Sequence, residues 1–259
     1  MHRSASRLTR VIACAAVPVI FAVSGCSSDS GKSADAGKKS DSSASPKSPS
    51  AKPTPLEKAA FSTLPDPCKT VQSKTIGTLV PHAKDENGTA TKSNDLTSRA
   101  SCSWNGLDEN GLKGSDYHWL AVSQVRYDSH ESLGSGNKRA EEQFNKQLQT
   151  AKTVEGAQNT KNDPVGGVGD QGTSVTYATK KDGADFFNTT VIVRTQNVVI
   201  TLDYNAAAYE GAAAPDPAKL LEGAVAASRE AVNSVAAANQ QPNGSQPPAT
   251  SPPPSAEAS

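Results

Sequence analysis

Two long stretches of this chain contain almost nothing that a hydrophobic core could use, and they confine any folded domain to the residues between them. Residues 27–55 (SSDSGKSADAGKKSDSSASPKSPSAKPTP) are dominated by Ser, Lys, Ala, Asp and Pro, and residues 240–259 (QQPNGSQPPATSPPPSAEAS) repeat the pattern with more Pro. Segments of this kind bury too little apolar surface to offset the entropy lost on ordering. A chain of 259 residues has room for two small domains by length alone, but the flanks leave space for one, of about 180 residues. Lys plus Arg and Asp plus Glu both number 26, so the formal charge is zero. No global field steers such a chain onto nucleic acid, which excludes that class of partner. Aromatic residues make up only 5% of the chain, so the core must rest on Val, Ile, Leu and Ala.

The N-terminus carries Arg3, Arg7 and Arg10 and no acidic residue before Asp29, the asymmetry of a signal n-region. Residues 11–23 (VIACAAVPVIFAV) are apolar. At about 13 residues this run is shorter than the roughly 20 a membrane-spanning helix needs, and it has the ordinary length of a signal h-region. Cys14 lies inside it and acts there as a small apolar residue. The run ends at Val23-Ser24-Gly25-Cys26, which resembles a lipobox. That resemblance implies a diacylglyceryl group on the Cys26 thiol and cleavage between Gly25 and Cys26. The alternative is an ordinary secretory signal cut elsewhere, with Cys26 an incidental thiol. The first reading makes residues 1–25 a signal peptide, 26–56 a lipidated Cys with a tether, 57–238 the domain, and 239–259 a Pro/Ser-rich tail. It places the domain at the extracytoplasmic face of the cell membrane, anchored through the lipid on Cys26.

As a coil of about 30 residues the tether has a root-mean-square span of roughly 30 Å. Its lysines serve solubility or touch anionic headgroups. The Pro-rich tail is inert or docks an aromatic groove as polyproline II.

Within the domain, Asp66-Pro67-Cys68 reads as an N-cap, a first-turn Pro and a helix start. Val71, Thr75, Ile76 and Leu79 then share one face of a helix that ends near Pro81. Ala100 to Trp104 and Tyr117 to Tyr127 read as strands. From Asn137 to about Thr153, Ala140, Phe144, Leu148 and Ala151 form the apolar stripe of a second helix. Three strands follow, over residues 173–179, 186–195 and 198–204, the last two joined by a tight Gln196-Asn197 turn. Asp216-Pro217 opens a closing helix with Leu221, Ala224, Val225, Ser228, Val232 and Val235 at helical spacing. The expected architecture is α+β: an antiparallel sheet of about five strands covered on one face by helices, with a parallel nucleotide-binding sheet as the alternative.

Removal of the signal and lipidation of Cys26 leave Cys68 and Cys102 as the remaining thiols. An exported compartment favours their oxidation, and two thiols allow one disulfide. Closing a loop of about 34 residues is worth about 3 to 4 kcal/mol in the chain-entropy model. A redox-active pair is the alternative, without the Cys-x-x-Cys frame such pairs use.

Motifs that carry chemistry are scarce. Asp85-Glu86-Asn87-Gly88 and its repeat Asp108-Glu109-Asn110-Gly111 lack the alternating ligands and distal Glu of a calcium loop and read as turns. Gly167-Val168-Gly169-Asp170-Gln171-Gly172 spells a Gly-x-Gly-x-x-Gly, but Asp163-Pro164 precedes it and a strand follows, where a phosphate loop needs a strand before and a helix after. His82, His118 and His130 have no ligand spacing and read as structural or solvated. No catalytic residue, metal ligand or cofactor-binding residue is assigned.

Taken together, Asp66-Pro67-Cys68, Cys102-Ser103-Trp104 and Val168-Gly169-Asp170 resemble a family of actinobacterial lipoproteins classed as a domain of unknown function, over about residues 60–236. The resemblance implies the paired cysteines and an α+β sandwich similar to Mog1/PsbP-like domains. It implies no activity. The expected function is a non-enzymatic binding or accessory module of the cell envelope. The alternative is an envelope hydrolase whose site assembles from residues distant in sequence.

Overall fold

The last strand of the described residues sits at the centre of the sheet, between the strand just before it in the chain and one that ends far upstream, at Arg126. A computed structural model of the protein describes residues 55–240, apart from positions 94, 96, 110, 182 and 210. The expected signal, the Cys26 lipidation site, most of the tether and the tail lie outside the described residues. The chain divides into two units, Met1–Lys52 and Pro53–Ser259, and every described residue belongs to the second.

Seven strands form one antiparallel sheet: β1 (Thr89–Ala90), β2 (Arg99–Glu109), β3 (Ser115–Arg126), β4 (Gln158–Pro164), β5 (Gln171–Lys181), β6 (Ala184–Thr195) and β7 (Val198–Tyr209). Their order across the sheet is β1-β2-β3-β7-β6-β5-β4. Three α-helices accompany them: α1 (Ser73–Leu79), α2 (Gly136–Lys152) and α3 (Pro217–Gln240). Among the described residues no helix is long and apolar enough to cross a membrane.

The α+β class holds, but the strand number is seven rather than about five. The two extra strands lie at the edges. β4 (QNTKNDP) is exposed along its whole length and has no alternation to betray it; it is a strand because β5 offers it a ladder of backbone hydrogen bonds. β1 is two residues paired to β2.

The helices also lie on both faces, not one. In β7, Val198, Ile200, Leu202, Tyr204 and Ala206 are buried in the main core with Leu220, Ala224, Ala227, Ala231 and Val235 of α3. The alanine stripe lets α3 approach the sheet closely, and each larger side chain withdrawn from water contributes about 1.5 to 3 kcal/mol. The alternate residues Val199 of β7 and Ile192 of β6 pack on the opposite side with Ala140 and Phe144 of α2. Period-two alternation puts successive residues on opposite faces, so helices on both faces follow from apolar residues in both registers of β6 and β7.

The first expected helix is broken in two. Asp66 caps a short 3-10 turn at Pro67–Lys69, accepting from the Cys68 N–H at 3.0 Å, and α1 begins only at Ser73. In the gap, the Gln72 N–H donates to the Glu230 carboxylate at 2.8 Å and Thr75 Oγ1 donates to it at 2.7 Å. The chain is thus tied to α3 by polar groups, and Thr75 anchors the helix rather than filling its apolar face.

Asn197, in the β6–β7 turn, is fully buried. Its side chain accepts from the Phe61 N–H and donates to the carbonyls of Phe61 and Tyr127, so one amide ties three segments together. Gln124 of β3 is equally buried, and both polar atoms of its amide lack a hydrogen-bond partner among the described residues.

Candidate functional site

Cys68 and Cys102 are joined by a disulfide, with their Cα atoms 5.1 Å apart. The bridge staples the 3-10 turn to β2 and lies in the core beside Trp104. Gly88, the last residue of the first Asp-Glu-Asn-Gly turn, passes so near that a Cβ there would lie 2.6 Å from Cys102 Sγ and from the Trp104 ring. Asp85 accepts from the Asn87 N–H at 2.9 Å inside that turn. In the second copy Asp108 and Glu109 end β2.

The Gly167–Gly172 motif follows β4 and runs into β5, whose first two residues are Gln171 and Gly172, so a strand does precede it, and a strand, not a helix, follows. Gly167 and Gly169 adopt positive φ. The Asp170 carboxylate accepts from the Gln196 N–H at 2.6 Å and pairs with Arg194. The loop therefore latches the β6–β7 turn.

The three histidines stay apart in role. His130 closes a local turn through Ser132. His82 lies 3.5 Å from Asp108 in a cleft of about 330 Å³ beside α1. His118 Nδ1 is 3.1 Å from the Tyr204 hydroxyl, which donates to the Leu79 carbonyl at 2.7 Å. Because that hydroxyl proton is committed to Leu79, His118 Nδ1 is the donor toward Tyr204. Burial holds the His118 imidazole below its ordinary value, with Asp116 and Asp108 opposing it, and burial pushes the Tyr204 phenol up to about 12.

The side chains that do converge were not singled out by sequence. A groove of about 570 Å³ opens between the C-terminal half of α2 and the sheet. Asp203 of β7, Thr190 of β6 and Tyr177 of β5 line its floor, and Gln143, Gln147 and Thr150 of α2 line its wall. Thr190 Oγ1 donates to Asp203 Oδ1 at 2.6 Å. Burial pushes the Asp203 carboxyl above its ordinary value, and the Thr190 hydrogen bond opposes this. Burial, and then the Asp203 charge, push the Tyr177 phenol up. Thr201 donates to Gln147 Oε1, joining floor to wall.

Among the described lining residues Asp203 is the one carboxylate, and no histidine faces the groove. Lys146 of α2 lines the same groove. A lone carboxyl among hydroxyls, amides and one ammonium group can orient a ligand through hydrogen bonds, whereas glycoside hydrolysis ordinarily requires a carboxylate pair. The signal that would have found this site is a charge amid the apolar alternation of VVITLDYNAAA. Its partners, 13 and 26 residues earlier in sequence, come beside it only through strand pairing.

No curated protein matches the chain. Among solved structures it is similar to LpqN of Mycobacterium tuberculosis, a protein involved in cell envelope biogenesis, at 15% identity and a TM-score of 0.28, over 53% of this chain and 79% of that one. The profile of the family described as "Protein of unknown function (DUF3558)" matches residues 21–217, most of the chain, and the chain belongs to that family.

Proposed function

We propose that this chain is a lipoprotein anchored through Cys26 at the extracytoplasmic face of the membrane, and that its domain is a non-enzymatic binding or accessory module of the cell envelope. The anchor reading rests on the basic n-region, the short apolar run and the Val23-Ser24-Gly25-Cys26 site. The diacyl modification is physically sufficient, because two chains hold a membrane stably where one does so only marginally. The division into residues 1–25, 26–56, 57–238 and 239–259, and a Mog1/PsbP-like arrangement of the sheet and helices, belong to the same proposal.

The observation that carries the binding reading is the groove between α2 and the sheet, whose floor offers one carboxyl, several hydroxyls and a tyrosine. That inventory recognises a polar ligand, and it holds one carboxyl where a glycosidase ordinarily uses two. Envelope hydrolysis stays as a second reading, because a carboxyl raised by burial has the property a general acid needs.

Two experiments test the proposal. Cells expressing the full chain are labelled with an alkynyl fatty acid, where the wild type is expected to carry label and Cys26→Ala to lose it; label retained by Cys26→Ala overturns the anchor. The purified chain is then incubated with isolated envelope material. Retention without chemical change supports the module, and turnover abolished by Asp203→Asn establishes the hydrolase instead.

A further inference from the structure

Strand register places across the sheet, beyond Asp203, one row of side chains that combines three asparagines with a tryptophan and a tyrosine. Asn105 of β2 is opposite Trp119 of β3, which is opposite Asn205 of β7; Asn205 is opposite Asn188 of β6, and Asn188 is opposite Tyr177 of β5. All five lie on the face that carries α2, because they share the parity of Asp203 and Ile192. α2 packs against Ile192 and Val199, two rows and three rows away. Asn105 is exposed and the other four are half-buried. The row continues the groove, since Tyr177 lines both.

The row runs amide, ring, amide, amide, ring, so two planar amides lie between the flat rings of Trp119 and Tyr177. Asn188 Nδ2 donates to Thr179 Oγ1 and to the Phe186 carbonyl, and Asn205 Oδ1 accepts from the Thr189 N–H. Each amide is thereby held in place by one end, leaving Asn188 Oδ1 to accept and Asn205 Nδ2 to donate. Neighbouring strands lie about 4.8 Å apart, a spacing close to the rise of one unit in a linear glycan. Trp119 and Tyr177, three strands apart, are therefore separated by about 14 Å, with one amide on each strand between them.

Other ligand classes fit less well. A nucleic acid needs basic side chains for its phosphates, and the row has none. A lipid tail needs an enclosed apolar cavity, and this surface is open and interrupted by amides.

We infer that this row is a saccharide-binding site, in which a neutral linear oligosaccharide lies across the strands, stacks on Trp119 and Tyr177, and is hydrogen-bonded between them by Asn205 and Asn188. This rests on the binding-module reading and names its ligand. Asp203, one position along the same face, lies beside the sugar hydroxyls over β7.

The chain contains two tryptophans, and Trp104 is sealed in the core at 1% exposure, so Trp119 fluorescence reports on the row. The purified full chain in detergent is titrated with neutral linear hexasaccharides of glucose, mannose, galactose and N-acetylglucosamine, with phosphatidylglycerol vesicles, and with a proline-rich peptide of residues 241–259. A saturable fluorescence change with at least one hexasaccharide is expected. Calorimetry is expected to show roughly tenfold weaker binding for Trp119→Ala and for Tyr177→Ala, the size of one lost stacking contact, and a smaller loss for exposed Asn105→Ala, which leaves the core untouched. The inference is overturned if no hexasaccharide binds, or if Trp119→Ala and Tyr177→Ala both bind as the wild type does. Binding of the vesicles or the peptide alone overturns the saccharide and leaves the module reading standing. Release of shorter sugars from a bound hexasaccharide keeps the saccharide and overturns the non-enzymatic reading.

Discussion

Thr190 on β6 and Asp203 on β7 are paired directly across the strands, and the Thr190 hydroxyl donates to the Asp203 carboxylate at 2.6 Å. This hydrogen bond only partly offsets the desolvation of the carboxyl, whose affinity for its proton is raised above the ordinary value.

A raised carboxyl makes the folded state bind more protons than the unfolded state at pH values between the two pKa values, so stability falls as pH rises there. The loss begins near the unfolded value of 3.8 and is complete once the folded value is passed. Asp203→Asn removes the charge and keeps the shape. The variant is expected to melt higher than the wild type at pH 7 and to converge with it toward pH 4. Thermal melts by circular dichroism over pH 4 to 8 check this, and equal melting temperatures at pH 7 would refute it.

His118 works in the opposite direction. Its imidazole is half-buried and that partial burial holds its folded pKa below the ordinary 6.5, so the unfolded state takes up the proton first as pH falls. The associated stability is present above about pH 6.5 and is lost as pH drops through the folded value. His118→Gln keeps a donor for Tyr204 and cannot be protonated. The gap between wild-type and variant melting temperatures is expected to change between pH 7 and pH 5, in favour of the variant. A gap that stays constant over that range would show that His118 titrates as it does in water.

Gln124 buries an amide with neither polar atom paired among the described residues. A buried polar group without a partner costs about 1 to 3 kcal/mol, and methionine fills nearly the same volume without that cost. Gln124→Met is expected to raise stability by about that amount in urea denaturation, with an unchanged m-value. Destabilisation would mean that the amide has a partner in solution.

The Cys68–Cys102 bridge closes a separation of 34 residues. Replacing both cysteines by alanine is expected to cost about 3 to 4 kcal/mol by loop entropy. For a domain of this size that lowers the melting temperature by about 10 °C. Differential scanning calorimetry of the double variant against the oxidised wild type measures it, and an unchanged midpoint would contradict a stapling role.

Some elements were legible because their information is local. β7 alternates Val198, Ile200, Leu202 and Tyr204, and α2 repeats Ala140, Phe144 and Leu148, so strand and helix follow from period alone. Asp66 and Asp216 lie where caps belong, and each accepts a backbone N–H in the structure; Ser135, which caps α2, was not read from the sequence. β4 was illegible because its residues are all polar and its structure comes from β5. The break between the 3-10 turn and α1 was illegible because Glu230, which holds it open, is over 150 residues away.

The candidate site divides along the same line. Sequence by itself determined that a core can be built only between two flanks poor in apolar residues, that β7 alternates as a strand does, and that Cys68 and Cys102 are the two cysteines of the region between those flanks. The Gln196-Asn197 turn already pairs β7 with β6, and so Asp203 with Thr190; only the tertiary structure decided that β3 lies on the other side of β7 and β5 on the other side of β6. That order sets Trp119, Asn205, Asn188 and Tyr177 in one row. Alternation specifies that a strand has two faces, but which strands flank it, and which face a helix leaves uncovered, depend on contacts among residues far apart in the chain.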